Sequence, residues 1–152
     1  MAKRPSSLEG LVNLRQAFAG KKVWISGHTG FKGSWLTAWL LELGAEVAGY
    51  ALLAEGPLFR QLGLACHIRH EQADIREFEK LRKSLRDFRP DFVFHLAAQP
   101  LVRRSYGQPC ETFEVNTLGA AYVLDVLKEQ KTPCAAVFVT TDKVYELSLI
   151  HI

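Results

Sequence analysis

The chain has 152 residues, 48% hydrophobic, 11% aromatic and 23% charged, which excludes disordered and fibrous classes and suits one folding unit with a sizeable core. Lys and Arg number 19 against 16 Asp and Glu, a net charge of +3, and the basic residues are scattered among acids, so no nucleic-acid partner is expected. Cys66, Cys110 and Cys134 make no C-x-x-C pair, which argues against a disulfide framework or zinc ribbon and for a reducing compartment.

Residues 1–20 are basic without a continuous apolar stretch, unlike a signal peptide. They read as an arm or short helix, with Leu8, Leu11, Leu14 and Phe18 near helical spacing. Lys22 to Ser26 is a β-rich run ending at Gly27. Ser34 to Leu43 has helical periodicity and Gly44 stands where a glycine C-cap would. Glu46 to Ala51 is a second strand, followed by a loop containing Gly56 and Pro57 and a weak third strand from Ile68 to Gln72. Glu77 to Arg89 predicts an amphipathic helix. Phe78, Leu81, Leu85 and Phe88 share one face, and Arg82, Lys83, Arg86 and Arg89 form a solvated one. Pro90 stops it. Phe92 to Leu96 is continuously apolar, as in a strand covered on both faces. A long helix fits Pro109 to Gln130, and Ala135 to Val139 is a fifth strand.

This alternation predicts an α/β fold, a doubly wound parallel sheet (Rossmann-like), truncated after about the fifth strand. No apolar run is long enough to span a membrane, so a soluble cytoplasmic protein is expected. Ligands in such sheets gather beyond the carboxyl ends of the strands, at the topological switch point. There the sequence places Gly27-His28-Thr29-Gly30-Phe31-Lys32-Gly33. Its glycines permit a tight turn and close backbone approach, and the following helix N-terminus can receive a pyrophosphate. A turn serving packing alone is the competing reading, and Lys32 is either exposed or near a phosphate. The second strand ends Gly49-Tyr50-Ala51-Leu52, without the acid that usually bonds a ribose 2′-hydroxyl, so NAD and NADP are not separated there. Asp74-Ile75-Arg76-Glu77 suits a capping box as well as an adenine contact.

Taken in order, the glycine turn, Asp74-Ile75, His95-Leu96-Ala97-Ala98-Gln99, Val115-Asn116-Thr117-Leu118-Gly119 and Thr140-Thr141-Asp142-Lys143-Val144-Tyr145 resemble extended short-chain dehydrogenase/reductases acting on nucleotide sugars. The stretches from Gly27 to Leu36, Leu96 to Tyr106 and Thr140 to Tyr145 are more similar to the CDP-glucose 4,6-dehydratases among them. The resemblance implies three regions: an arm at 1–20, an incomplete NAD-binding Rossmann domain at 21–146, and a tail at 147–152 unlike the family. It implies NAD as cofactor, with Gly27, Thr29, Gly30, Phe31, Lys32 and Gly33 around the pyrophosphate. Asp74 and Ile75 would meet the adenine, and Leu96, Ala97, Ala98 and Gln99 would lie near the nicotinamide ribose. Asn116 would brace the active-site strands.

The resemblance also implies the chemistry: oxidation at C4 of CDP-glucose, loss of water across C5 and C6, and hydride return to C6. Thr141 would hold O4, Asp142 would protonate the departing oxygen if burial raises its pKa, and Lys143 would move the C5 proton. Lysine is a poor base unless its pKa is depressed. The product class feeds deoxysugars into surface polysaccharides such as O-antigen, and the full-length protein is expected to be a homo-oligomer. The family's Tyr-x-x-x-Lys pair is missing from these 152 residues, so the chain alone is expected to be inactive. A related epimerase and a non-catalytic dinucleotide-binding module are the alternatives. His67 and His70 form an H-x-x-H without a third ligand, so no metal is expected. His95 is read as packing at a strand end, and Arg103 and Arg104 either reach a diphosphate or orient the next helix.

Overall fold

The structure, a computed structural model, describes residues 14–52 and 56–140. Strands β1 (Lys22–Ser26), β2 (Glu46–Ala51), β3 (Arg69–Gln72), β4 (Phe92–His95) and β5 (Ala135–Phe138) form one sheet in the order β3-β2-β1-β4-β5. All pairings are parallel, and Ser26 stands opposite Tyr50 on one side and His95 on the other. The chain winds outward to β3 and then crosses back to β4. Strand order therefore reverses between β1 and β4, which opens a crevice beyond their carboxyl ends.

The apolar strands feed two cores because successive side chains leave a strand on opposite faces. Val23 and Ile25 join Leu40, Ala45 and Val47, whereas Trp24 joins Tyr50, Leu81, Leu85, Val93 and Val123. The first core is closed by α1 (Phe31–Glu42), and the second by α3 (Phe78–Phe88) and α6 (Gly119–Lys128). The expected doubly wound sheet is thus present. β4 departs from expectation: Val93 and His95 are buried, but Phe92 and Phe94 are only partly covered. Among the described residues, their ring partner is Phe18 from a helical turn at 14–18, centred 4.9 Å from Phe92. Of the expected arm, only this turn and the residues after it are described, and the tail at 147–152 lies outside the described residues.

Several boundaries move for local reasons. α1 starts at Phe31, earlier than its periodicity suggests. It ends with Gly44 at φ +83°, whose N–H bonds Leu41 at 2.9 Å while that of Ala45 bonds Leu40 at 3.0 Å. Those are the two bonds of a Schellman end. The loop expected at Gly56 and Pro57 is instead α2 (Pro57–Gln61), with Pro57 in the first turn, where a missing N–H is harmless. α4 (Val102–Gly107) has no counterpart among the expected elements. The long helix expected from Pro109 is α5 (Pro109–Phe113), a π turn at Glu114–Leu118, and then α6. Gly119, just after the π turn, lets this helix approach the loop after β3: a Cβ there would lie 2.9 Å from Ile75. On α3, Arg82 and Arg86 both turn to Glu129, at 3.0 and 3.4 Å.

Among the described residues no strand pairs with the outer edge of β5, where Val137 and Val139 are 48% and 45% exposed. An apolar edge templates further pairing, and a lysine on it opposes this. Val137→Lys is expected to raise the protein concentration at which light scattering first detects assembly.

Candidate functional site

Gly27 leaves β1 with φ +71°, and its N–H extends the β1–β2 pairing by one bond, to Tyr50 at 2.8 Å. A Cβ on Gly27 would stand 2.9 Å from the Ala97 nitrogen, and one on Gly33 only 2.2 Å from the Gly27 oxygen. The turn is therefore folded onto itself and onto the segment after β4. Gly30 precedes α1 without a side-chain cap, and the first turn of α1 contains no acid. The N–H groups of that turn, which have no partner within the helix, and the positive end of the helix dipole consequently stand at the carboxyl edge of the sheet, and the turn itself carries no acid. Phe31 is 73% exposed, Lys32 is exposed and Thr29 is buried. A glycine cradle with a bare helix N-terminus fits a dinucleotide pyrophosphate.

Ser26 ties this edge together. Its hydroxyl accepts the N–H groups of Leu96 at 3.0 Å and Ala97 at 3.1 Å and lies 2.8 Å from His95 Nδ1. With its oxygen accepting twice, the hydroxyl proton goes to Nδ1, so His95 is neutral with its own proton on Nε2. Burial pushes the His95 pKa down to about 4. His95 does pack at a strand end, and it also acts as an acceptor.

His28, inside the turn, points away from the edge. Its ring is fully buried over Gly49, where a Cβ would lie 2.4 Å away, and it meets Phe59 edge-on at 5.2 Å. His28 Nε2 lies 2.7 Å from His70 Nδ1. Burial first, and the neighbouring His70 second, push the His28 pKa down to about 4. His70 thus pairs with His28, and His67 closes the 3₁₀ turn Leu64–Cys66.

The remaining sequence-derived residues fall around the same edge. The Asp74 carboxylate accepts the Arg76 backbone N–H at 2.9 Å, and the Asp74 N–H bonds Glu77 at 3.2 Å. Only the Glu77 half of the expected capping box is made: the Asp74 carboxylate takes the N–H two residues on, as in an Asx turn, and α3 starts after Glu77 without a side-chain cap. Arg76 also grips Asp74 through Nη2 at 2.6 Å and reaches Glu114 at 3.2 Å. Burial opposes the Asp74 charge, but the hydrogen bonds and charge of Arg76 outweigh it and hold the carboxyl below its usual range. Beside it, Arg76, Glu114, Leu118 and Tyr122 line a cavity of about 400 Å³. The Ile75 side chain is buried in the core. Leu96 packs into one core and Ala97 against the other, Ala98 is exposed and Gln99 is half-buried. Asn116 does brace the segment after β4, bonding both backbone groups of Gln99. Arg104 is paired with Glu111 at 2.7 Å.

Thr141, Asp142 and Lys143 lie outside the described residues. The strand leading to them ends at this edge, where the Val139 N–H bonds the His95 carbonyl at 3.0 Å. Ser26 and His28 were not singled out from the sequence. A polar residue closing an apolar strand was a usable signal for Ser26. His28 had none, because its partner is 42 residues away.

Residues 24–147 match the family model for GDP-mannose 4,6-dehydratase. The chain belongs to this family. It is 50% identical over 129 residues to the CDP-glucose 4,6-dehydratase of Salmonella typhimurium, covering 84% of this chain and 36% of that protein. It is 28% identical to the CDP-paratose 2-epimerase of Salmonella typhi, covering 82% of this chain and 38% of that protein. The chain thus spans little more than a third of these relatives. Among solved structures, the fold is shared with the epimerase Mth375 of Methanothermobacter thermautotrophicus (TM-score 0.75, 27% identity, 90% of this chain and 40% of that one). It is also shared with the Thermus thermophilus UDP-glucose 4-epimerase, solved with NAD (TM-score 0.65, 34% identity, 72% of this chain and 34% of that one).

Two outcomes follow for this family member. Gly33→Ala drives a Cβ into the Gly27 carbonyl and is expected to cost about 2–3 kcal/mol in urea unfolding. His28 and His95 should make stability pH-dependent. Above about pH 6.5 both folded and unfolded states hold them neutral and the profile is flat. Below it the unfolded chain takes up protons that the native state refuses. Stability then falls by up to about 1.4 kcal/mol per pH unit for each histidine until about pH 4. Urea midpoints across pH 7.5 to 4.5 would test this, and a flat series would contradict it.

Proposed function

We propose that the chain is the cofactor-binding, N-terminal part of a CDP-glucose 4,6-dehydratase, an NAD-dependent lyase converting CDP-glucose to CDP-4-keto-6-deoxyglucose. The observation that carries this reading is the 50% identity to the Salmonella CDP-glucose enzyme. The family match at 24–147 takes in both the glycine turn and Thr141–Lys143.

In this reading Gly27, Thr29, Gly30, Phe31, Lys32 and Gly33 wrap the pyrophosphate, whose charge meets the bare N-terminus of α1. The Asp74 carboxylate is engaged by Arg76 and its backbone by Tyr50 and Glu77, so the adenine would meet the Asp74–Ile75 turn chiefly through the Ile75 backbone, beside the cavity at Tyr122. Leu96, Ala97 and Ala98 border the nicotinamide ribose. The N–H groups of Leu96 and Ala97 are spent on Ser26, which leaves side-chain and carbonyl contacts. NAD, when bound, supplies the hydride acceptor for C4 and the hydride returned to C6. Thr141 holds O4, Asp142 gives its proton to the oxygen departing from C6, and Lys143 takes the C5 proton made acidic by the C4 ketone.

An epimerase is the second reading, favoured by the solved relatives. Both chemistries begin on the same fold, so the likeness in fold does not separate them. Thr141-Asp142-Lys143 favours the dehydratase, because epimerisation expels no water from C6 and needs no acid there.

The test is calorimetric titration with NAD⁺, followed by incubation with CDP-glucose and NMR detection of a 4-keto-6-deoxy product. Binding without turnover is expected from these 152 residues, and turnover once the chain is extended to the relatives' length. Failure to bind NAD⁺ would overturn the reading, and a C2 or C4 epimer from the extended chain would establish the alternative.

A further inference from the structure

Beyond Ala98 the chain turns along the crevice mouth, and two side-chain amides shape it in succession. Asn116 lies in the π turn, where the extra residue per turn re-aims a side chain relative to a regular helix. Its carboxamide pairs with both backbone groups of Gln99: Oδ1 accepts the N–H at 2.7 Å and Nδ2 donates to the carbonyl at 3.1 Å. The Gln99 carboxamide then does the same to Leu101. Oε1 accepts the Leu101 N–H at 2.7 Å and Nε2 donates to the Leu101 carbonyl at 3.3 Å. This steps across Pro100, which has no N–H to offer. The second Nε2 proton goes to Thr112 Oγ1 at 3.0 Å, and Thr112 in turn donates to the Gln108 carbonyl at 3.1 Å.

Each amide thus stands in for a detached peptide unit, and the backbone partners fix both amide orientations. Every donor of Gln99 is consumed inside the protein. A residue so engaged has no N–H left for a ligand. We propose that Gln99 is a positioning residue: clamped by Asn116 and anchored on Thr112, its carboxamide sets the path of residues 99–102 at the mouth of the dinucleotide crevice. The sequence-based expectation sets Gln99 near the nicotinamide ribose; its role there is one of positioning, and the proposal rests on the dinucleotide-binding reading above.

The test compares the 152-residue chain with Gln99→Met, Thr112→Val and the double variant, by calorimetry with NAD⁺ and by amide hydrogen exchange of Leu101 without cofactor. Gln99→Met is expected to speed Leu101 exchange and weaken NAD⁺ binding, each roughly tenfold. Thr112→Val removes the anchor without altering residue 99. It should weaken binding about threefold, and the double variant should bind no worse than Gln99→Met alone. A direct ligand role predicts a different pattern: loss of affinity in Gln99→Met with the Thr112→Val affinity unmoved. That result would overturn the proposal, as would unchanged NAD⁺ affinity in all variants. Absence of NAD⁺ binding by the parent chain would instead overturn the dinucleotide reading on which it stands.

Discussion

The contact on which the rest depends is between the Gly27 backbone and the Leu96–Ala97 peptide. Here β1 and β4, joined in space at the point where strand order reverses, release their chains in different directions. The approach is too close for any side chain on Gly27, and Ser26 closes it with two accepted N–H bonds and one donated bond. A net hydrogen bond contributes only about 1 kcal/mol, but a buried donor left unpaired costs about 1–3 kcal/mol. The weight of this hydroxyl is therefore in the Ala97 N–H, which it would otherwise orphan, since the Leu96 N–H also reaches the Ser26 carbonyl at 3.2 Å. With this edge fixed, the N-terminus of α1, the segment after β4 and the end of β5 all arrive beside one crevice.

Polar groups hold the edge on both sides of that contact. Toward β2 and β3, His28 fills the space that Gly49 vacates, behind the glycine turn, and meets His70 at 2.7 Å. Toward α5 and α6, the π turn delivers Asn116 to Gln99. The helical pieces from Pro109 to Lys128 are thus more than a crossover between strands. A regular helix would have kept the same packing against Ile75 through Gly119 and carried Asn116 elsewhere. At the Asp74 turn the carboxylate serves the Arg76 N–H and guanidinium, while the Asp74 carbonyl accepts the Tyr50 hydroxyl and the Glu77 N–H.

Residues 24–147 belong to the GDP-mannose 4,6-dehydratase family, and the glycine turn lies within that match. The fold is common to dehydratases and epimerases. The likeness in fold therefore does not separate the two chemistries, and the chain spans little more than a third of its curated relatives.

The sequence by itself determined the strand–helix alternation, the ends of β2, the Gly44 stop and the position of the glycine turn, because periodicity, glycine and proline act within a few residues. It also marked Asp74, Asn116 and the segment after β4. Only the tertiary structure decided what those residues do. Ser26 meets its partners 69 to 71 positions away, His28 meets His70 across 42, and Asn116 meets Gln99 across 17. The interruption of the long helix by a π turn, and the half-covered face of β4, were likewise hidden. Hydrogen bonds between distant residues and the cover over a strand depend on how elements stack, and local pattern carries no record of the neighbour across the gap.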